Sequence, residues 1–288
     1  MQTHVDRYYH KFRYPASSMI IGLSRANFGI APEIIEEEFT GSDTIDKPVL
    51  NFSFELYRSS YGPIYKEDIE AKIKEGTKNG LFILSVSPGS FLIPSSASDN
   101  NLEELDEDTI LGKMKWLNTD PNFEYMAKCY ANPLYKGILF PDSDIVVKTR
   151  KTGWTEFTRG DITYQVTDSM ATKWERETLV SYKKILAGQK ISKTRLRAFK
   201  ETIDMLKNYG KVVLVRMPVA KSVRDFENEF WPEMNSLINE ISREYSVTFL
   251  NYTNDYNRYK YYDGSHFFSE SAKTFTHQLA NDIKKLKN

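Results

Sequence analysis

The sequence is poor in cysteine, and it has no excess of charge of either sign. The single cysteine, Cys129, excludes an internal disulfide and argues against a thiolate metal site. Lysine and arginine together number 39, and so do aspartate and glutamate, which gives a formal net charge of zero. A balanced chain offers no electrostatic footprint for nucleic acid or for an anionic membrane. We therefore expect neither as a partner.

Long hydrophobic runs are also missing. No segment approaches the roughly 20 apolar residues that a membrane span requires, and the opening MQTHVDRYYHKF has no apolar secretory core. We therefore expect no membrane span in this chain. As the sequence stands, the protein is expected to be cytoplasmic. The sequence leaves the oligomeric state open.

Short apolar runs alternate with amphipathic segments along the chain. Residues 19–21, 49–54 and 81–86 predict strands with helices between them, and the pattern resumes with strands at 212–215 and 247–250. This βαβ order is typical of a parallel sheet with helices on both faces. We expect one flavodoxin-like, three-layer α/β/α sandwich with a mainly parallel sheet over residues 1–288.

Residues 88–190 interrupt this order and are interpreted as a large insertion after the third strand. DPNFEYMAKCY predicts a helix with Asp120 as its N-cap and Pro121 at its first position. Residues 144–166 alternate polar with apolar residues, which predicts a β-hairpin. Because the insertion leaves the carboxyl end of a strand, we expect it to border the functional site.

Two other segments carry weaker patterns. An apolar stripe over residues 226–241 predicts one long helix, with Pro232 in its first turn. Residues 1–16 are polar and aromatic, and are interpreted as a lead-in to the first strand.

The stretch SSMIIGLSRANFGIAPEII, residues 17–35, joins a buried strand to a helix. Gly22 permits a tight turn after the strand, and the helix is expected to begin at Pro32. Ser24 then lies at the carboxyl end of a strand and near a helix N-terminus, which is a suitable place for a nucleophile. The alternative is that Ser24 only caps the helix, since serine is a preferred N-cap.

A second polar cluster, DGSH at residues 263–266, precedes the last predicted helix. In a doubly wound sheet, this loop and the loop that holds Ser24 open at the same edge. A serine hydroxyl needs a base to take its proton, and the base needs a carboxylate to fix its tautomer. We therefore predict a catalytic triad of Ser24, His266 and Asp263. The alternative for His266 is a loop histidine that caps the last helix or stacks on neighbouring phenylalanines.

The Gly-x-Ser after the first strand and the Asp-x-x-His before the last helix resemble motifs of the SGNH, or GDSL-like, hydrolase superfamily. GLSRANFGIAP is also similar to the GSSRxxxGIxP opening of a branch linked to cell-surface polysaccharides. The resemblance covers roughly residues 17–87 and 210–286. Relatives of that branch often carry a membrane anchor ahead of the first strand, so the resemblance implies, as an alternative to a cytoplasmic protein, the extracytoplasmic domain of a membrane-anchored protein trimmed at its N-terminus. It implies that Ser24 is the nucleophile, that His266 is the general base, and that Asp263 orients the base.

The expected oxyanion hole departs from the pattern of that superfamily, which uses the nucleophile's N–H, a glycine N–H after the second strand and an asparagine after the third. Leu56 stands near the glycine position, and SVSPGS after the third strand contains no asparagine. We expect the N–H groups of Ser24 and of the segment from Ser53 to Leu56 to line the hole. Arg25 either binds an anionic group of the substrate or forms an ion pair on the first helix.

These features predict a serine-dependent acyl-ester hydrolase that acts on O-acetyl or other short acyl esters. The expected substrate is an acylated carbohydrate or another small ester, and the triad calls for no cofactor and no metal. One alternative is an O-acyltransferase for a surface polysaccharide, because the same triad serves whether water or a sugar hydroxyl attacks the acyl-enzyme. The other is a catalytically weak or inactive glycan-binding or assembly protein of the same fold.

Overall fold

The computed structural model describes residues 6–55, 58–129 and 146–286, and its centre is a sheet of five parallel strands. Their order is β2-β1-β3-β8-β9, and every neighbouring pair is parallel. The bounds are Ser18–Ile21 for β1, Val49–Asn51 for β2, Gly80–Ser85 for β3, Gly210–Arg216 for β8 and Thr248–Asn251 for β9. This is the strand order of a flavodoxin-like fold, as predicted.

Helices and two short antiparallel ladders surround the sheet. The helices are α1 Ser24–Gly29, α2 Pro32–Glu38, α3 Pro63–Lys72, α4 Leu102–Glu107, α5 Ile110–Lys113, α6 Phe123–Lys128, α7 Asp168–Ala187, α8 Lys193–Lys207, α9 Lys221–Phe230, α10 Met234–Glu244 and α11 Ser269–Lys285. The ladders pair β4 Leu92–Pro94 with β7 Gln189–Ile191, and β5 Val147–Thr149 with β6 Thr155–Phe157. Within the described ranges, no helix is long and apolar enough to cross a membrane.

Both faces of the sheet are apolar and covered by helices. In β1, Met19 and Ile21 pack on one face while Ile20 packs on the other, as the two-residue period of a strand requires. The first face packs with α3, α8 and α10 in a cluster that includes Ile69, Phe199, Ile203, Leu206, Ile238 and Ile241. The second face packs with α2 and α11 in a cluster that includes Ile34, Ile35, Phe275, Leu279 and Ile283. The result is the three-layer α/β/α sandwich.

The described part of the segment before β1, residues 6–17, contributes to the core, so its interpretation as a lead-in is wrong. Phe12 is completely buried, and so is the side chain of Lys11. The Lys11 Nζ donates to Asn27 Oδ1 at 3.1 Å and to the carbonyl oxygens of Asn51 and Gly153, both at 2.6 Å. One ammonium group therefore ties the N-terminal segment to α1, to the end of β2 and to the turn of the insertion's hairpin.

The long helix predicted over residues 226–241 is divided in two. The chain leaves α9 at Trp231 and enters α10 at Met234, with Pro232 between them. Proline has no N–H and clashes with the preceding turn inside a helix. Pro232 therefore separates two helices, and the prediction of one long helix with Pro232 in its first turn is wrong.

The N-cap of α6 is also different from the one expected. Asn122 is the cap, and its side chain accepts a hydrogen bond of 2.8 Å from the Tyr125 N–H. Asp120 instead forms an ion pair with Arg13 at 2.7 Å. Both are preferred capping residue types, so the sequence pattern alone did not distinguish them.

The insertion carries the predicted hairpin and is closed at its base. Strands β5 and β6 pair with Val147 opposite Phe157, which confirms the hairpin. Strands β4 and β7 pair with Leu92 opposite Ile191. The two ends of the insertion therefore lie side by side.

Replacing Lys11 by methionine tests the buried ammonium group. We expect Lys11→Met to lower the free energy of unfolding by about 1–3 kcal/mol for each carbonyl oxygen left without its donor. The measurement is urea denaturation followed by circular dichroism. Lys66→Met is the control, because the Lys66 side chain is 28% exposed and pairs only at the surface. Equal stabilities for the two variants would contradict a structural role for Lys11.

Candidate active site

Loops that follow three strands meet at the carboxyl edge of the sheet. Because β1 lies between β2 and β3, connections leave β1 and β3 toward opposite sides and open a crevice between their ends. Ser24 follows β1, Ser87 follows β3 and His266 follows β9, and all three line one cavity of about 200 Å³.

The turn after β1 delivers Ser24 to this crevice. Gly22 has a φ of +146°, and a Cβ at this position would lie 2.9 Å from the Cβ of Ser85. Glycine alone fits there without strain. Helix α1 begins directly at Ser24, so the residues expected to connect to Pro32 are already helical. The N-cap of α1 is Leu23 and no side chain caps the helix, so the interpretation of Ser24 as a cap is wrong.

A chain of two hydrogen bonds joins the predicted triad. The Ser24 Oγ lies 2.8 Å from His266 Nε2, and His266 Nδ1 lies 2.8 Å from Asp263 Oδ2. The other carboxylate oxygen of Asp263 accepts from the backbone N–H groups of Ser265 and His266, at 2.9 and 2.8 Å. With the ring proton on Nδ1, Nε2 is the acceptor for the serine hydroxyl. The structure thus brings together side chains that are 242 positions apart in sequence.

Aromatic rings fix the orientation of the His266 ring. Tyr262 stacks on it with a centroid distance of 5.6 Å and an interplanar angle of 17°, and Phe28 contacts it at 5.3 Å. The cap of α11 is Phe268. His266 therefore neither caps the last helix nor stacks on its phenylalanine neighbours in the chain.

The electrostatics of the site favour an ionised Asp263. Burial acts to raise the pKa of its carboxyl group, but the His266 ring and two backbone N–H groups lower the pKa more strongly, so the net pKa lies below its ordinary value. A negative charge beside Nδ1 stabilises the imidazolium that forms when Nε2 takes a proton.

Helix α7 of the insertion forms one wall of the cavity. Four of its side chains line the pocket: Thr178, Ser181, Tyr182 and Ile185. Other parts of the lining are Leu23, beside Ser24, and Ser265, beside His266. Helix α7 lies within residues 88–190, the insertion that we expect to border the site.

Arg25 lines the cavity, and its charge is already paired. Its Nη2 donates to Glu227 Oε1 at 2.6 Å, and its Nε donates to Ser265 Oγ at 3.1 Å. Glu227 is 1% exposed and also accepts from Tyr182 at 3.1 Å and from Arg216 at 3.3 Å. These contacts favour the ion-pair interpretation of Arg25, although the partner lies on α9 and not on the first helix.

Of the two residues that bound the expected oxyanion segment after β2, Ser53 is engaged elsewhere and Leu56 is not described. Ser53 is completely buried, its N–H donates to Asn51 Oδ1 at 3.2 Å, and its hydroxyl donates to the carbonyl oxygen of Ile20 at 3.1 Å. The assignment of Ser53 to the hole is therefore wrong. Leu56 lies outside the described residues.

Ser87 is a pocket residue that the sequence interpretation missed. Its N–H donates to Ser90 Oγ at 3.1 Å, and its own Oγ accepts from the Ser90 backbone N–H in a capping box. The sequence signal was present, because SPGS has the serine, proline and polar fourth residue that begin a helical turn. Helix α7 was missed as well, although Thr167 caps it and Gly188 ends it.

No protein-family model, no curated protein and no solved structure matches this chain. In the part of the chain that the structure describes, no three His, Cys, Asp or Glu side chains are grouped so as to hold a metal ion.

Glu227→Gln tests how strongly the buried carboxylate supports the site. Burial acts to raise the pKa of Glu227, but Arg25, Arg216 and Tyr182 outweigh it and keep the pKa below its ordinary value. Removing the negative charge leaves two guanidinium groups unbalanced in a buried place, and we expect a loss of about 3–5 kcal/mol in the free energy of unfolding. Urea denaturation measures it.

The control for that experiment is Glu229→Gln on the same helix, where the side chain is exposed. We expect a change of about 0.5 kcal/mol or less for this variant. If both glutamines have the same effect, Glu227 does not organise the wall of the cavity.

Proposed function

We propose that the protein is a serine-dependent esterase of the SGNH type that removes a short acyl group, such as acetyl, from a hydroxyl of a glycan. The observation that carries the proposal is the chain of 2.8 Å hydrogen bonds from Ser24 through His266 to Asp263. A serine so placed is an activated nucleophile. The resemblance of its two motifs to those of SGNH hydrolases supports the same reaction.

The reaction proceeds in two halves. Ser24 Oγ attacks the carbonyl carbon of the ester while its proton passes to His266 Nε2. The bond between the acyl carbon and the sugar oxygen then breaks. His266 Nε2 gives its proton to that oxygen, which leaves as the sugar hydroxyl. Water next attacks the acyl-enzyme and gives a proton to Nε2, and collapse of the second tetrahedral intermediate releases the carboxylic acid and restores the Ser24 hydroxyl.

Two donors are placed to stabilise the oxyanion. The first is the N–H of Ser24, which opens α1 and so has no acceptor within the helix. The second is the Ser87 hydroxyl, which lines the same cavity. Its oxygen accepts the Ser90 N–H and also lies 3.4 Å from Ser90 Oγ, a long contact in which either hydroxyl can be the donor. With Ser90 as the donor in that contact, the Ser87 proton is available to the oxyanion. We assign Ser87 to the position where the family pattern calls for asparagine.

The size of the cavity favours a short acyl group. Its volume of about 200 Å³ is below the roughly 300–1,000 Å³ of sites that enclose a drug-sized ligand. Apolar contacts come from Leu23 and Ile185, which suit the carbon end of an acetyl group. A long acyl chain has no comparable space there.

Variants of the triad test the proposal directly. We expect Ser24→Ala and His266→Ala each to lower kcat for p-nitrophenyl acetate by at least roughly a thousandfold, with the double variant scarcely worse than either. Asp263→Ala should cost less, because the carboxylate orients the base without touching the substrate. A fluorophosphonate probe should label the wild type and not Ser24→Ala.

Ser236→Ala is the control for these variants, because Ser236 is exposed on α10, away from the cavity. Full activity in Ser24→Ala would contradict the nucleophile assignment. A wild-type protein with neither turnover nor labelling would instead favour the inactive glycan-binding alternative.

The role of Ser87 has its own test. We expect Ser87→Ala to lower kcat by roughly 10²–10³ with little change in KM, as for loss of one oxyanion donor. Ser90→Ala breaks the same capping box but keeps the Ser87 hydroxyl, so its kcat should stay near that of the wild type. Ser87→Asn should restore part of the rate, because asparagine both caps and donates. Equal losses in the two alanine variants would mean that Ser87 is only structural.

A further inference from the structure

A second cavity, of about 310 Å³, adjoins the cavity of about 200 Å³ that Ser24 and His266 line. The smaller cavity is called the Ser24 pocket. We call the larger cavity the aromatic groove, and it is lined by Phe157, Trp174, Glu177, Thr178, Tyr262 and Asp263. Thr178 lines both cavities, and Asp263 is the carboxylate that holds His266. The two spaces are therefore neighbours, each bordered by α7 and by the loop that carries Asp263 and His266.

One face of α7 runs along both cavities. Trp174, Thr178, Tyr182 and Ile185 are three or four positions apart and so lie on the same side of the helix. At 1.5 Å per residue, the distance along the axis from Trp174 to Ile185 is about 16 Å. This length exceeds an acetyl group and leaves room beyond it for the alcohol part of an ester.

The aromatic groove combines flat apolar surfaces with a carboxylate. Phe157 and Tyr262 stack with a centroid distance of 3.8 Å and an angle of 15°, so their rings form a rigid pair. Trp174 is half-buried against the same cluster, and Glu177 is exposed at the rim. Aromatic faces carry partial negative charge and pack against C–H groups, whereas a carboxylate accepts hydrogen bonds from hydroxyls.

We infer that the aromatic groove binds the hexopyranose ring that carries the ester, while its acyl group enters the Ser24 pocket. A pyranose has a face of C–H groups and an edge of hydroxyls, which matches Trp174 and Glu177 respectively. A simple alkyl alcohol has no such face, and an aryl alcohol has no hydroxyl for the carboxylate. The inference rests on the proposed function and names the position of its sugar.

The test compares two acetyl esters, methyl 6-O-acetyl-glucopyranoside and ethyl acetate, with hydrolysis followed by pH-stat. We expect Trp174→Met to raise KM for the sugar ester roughly tenfold, the effect of about 1.4 kcal/mol of lost ring contact. Its kcat/KM for ethyl acetate should stay within about twofold. Glu177→Gln should show a smaller effect of the same kind, with no change in thermal stability.

Trp116→Met provides the matched control, because Trp116 is 56% exposed and lines neither cavity. The assignment of the groove is overturned if Trp174→Met lowers kcat/KM equally for both esters, or for neither. The assignment also fails if phenyl acetate depends on Trp174 while the sugar ester does not.

Calorimetric titration of Ser24→Ala with the same sugar ester separates binding from turnover. We expect measurable binding that Trp174→Met weakens in the double variant. If wild-type protein hydrolyses no ester but this binding is found, the esterase proposal fails and the groove stands. If ethyl acetate is hydrolysed while Ser24→Ala binds no sugar ester, the groove fails and the esterase stands.

Discussion

The five strands of the main sheet run in one direction, so their carboxyl ends share one edge. A helix or loop must follow every strand there, so side chains from distant parts of the chain are brought together at this edge. Ser24 and His266 meet for this reason. The strands ahead of the two loops are paired with their neighbours over three or four residues each, which fixes where each loop starts.

The buried carboxylate of Glu227 links four elements that lie near the cavity. Glu227 of α9 accepts from Arg25 of α1, Arg216 of β8 and Tyr182 of α7. A buried ion pair adds little net stability over apolar packing, but loss of one partner is costly. The main effect of these ion pairs is therefore to fix the positions of the elements they join. The carboxylate joins α1, which begins at Ser24, to the wall of the pocket, and Arg25 also holds Ser265 beside His266.

Sequence reasoning recovered the sheet because parallel strands are buried on both faces and leave unbroken apolar runs. It also brought Ser24, His266 and Asp263 to one place, since strand order determines which loops meet. It failed where the pattern is weak. In α7 only two side chains are buried, so its apolar stripe is faint. The contacts of Glu227 span distant elements, and no spacing in the sequence encodes which charges will pair.

The antiparallel pairing of β4 with β7 holds the entry and exit of the insertion side by side. The chain between β4 and β7 therefore connects two strands that lie side by side, as a loop does. Each doubling of the length of a loop costs only about 0.6 kcal/mol of closure entropy. The segment can thus be lengthened, shortened or exchanged during evolution while the strands keep the triad in register. On the proposed function, the serine, histidine and aspartate lie on loops of the main sheet, whereas α7 of the insertion supplies four of the residues that line the pocket. Changes within α7 would therefore alter contacts to a ligand while the hydrogen bonds among those three residues are kept.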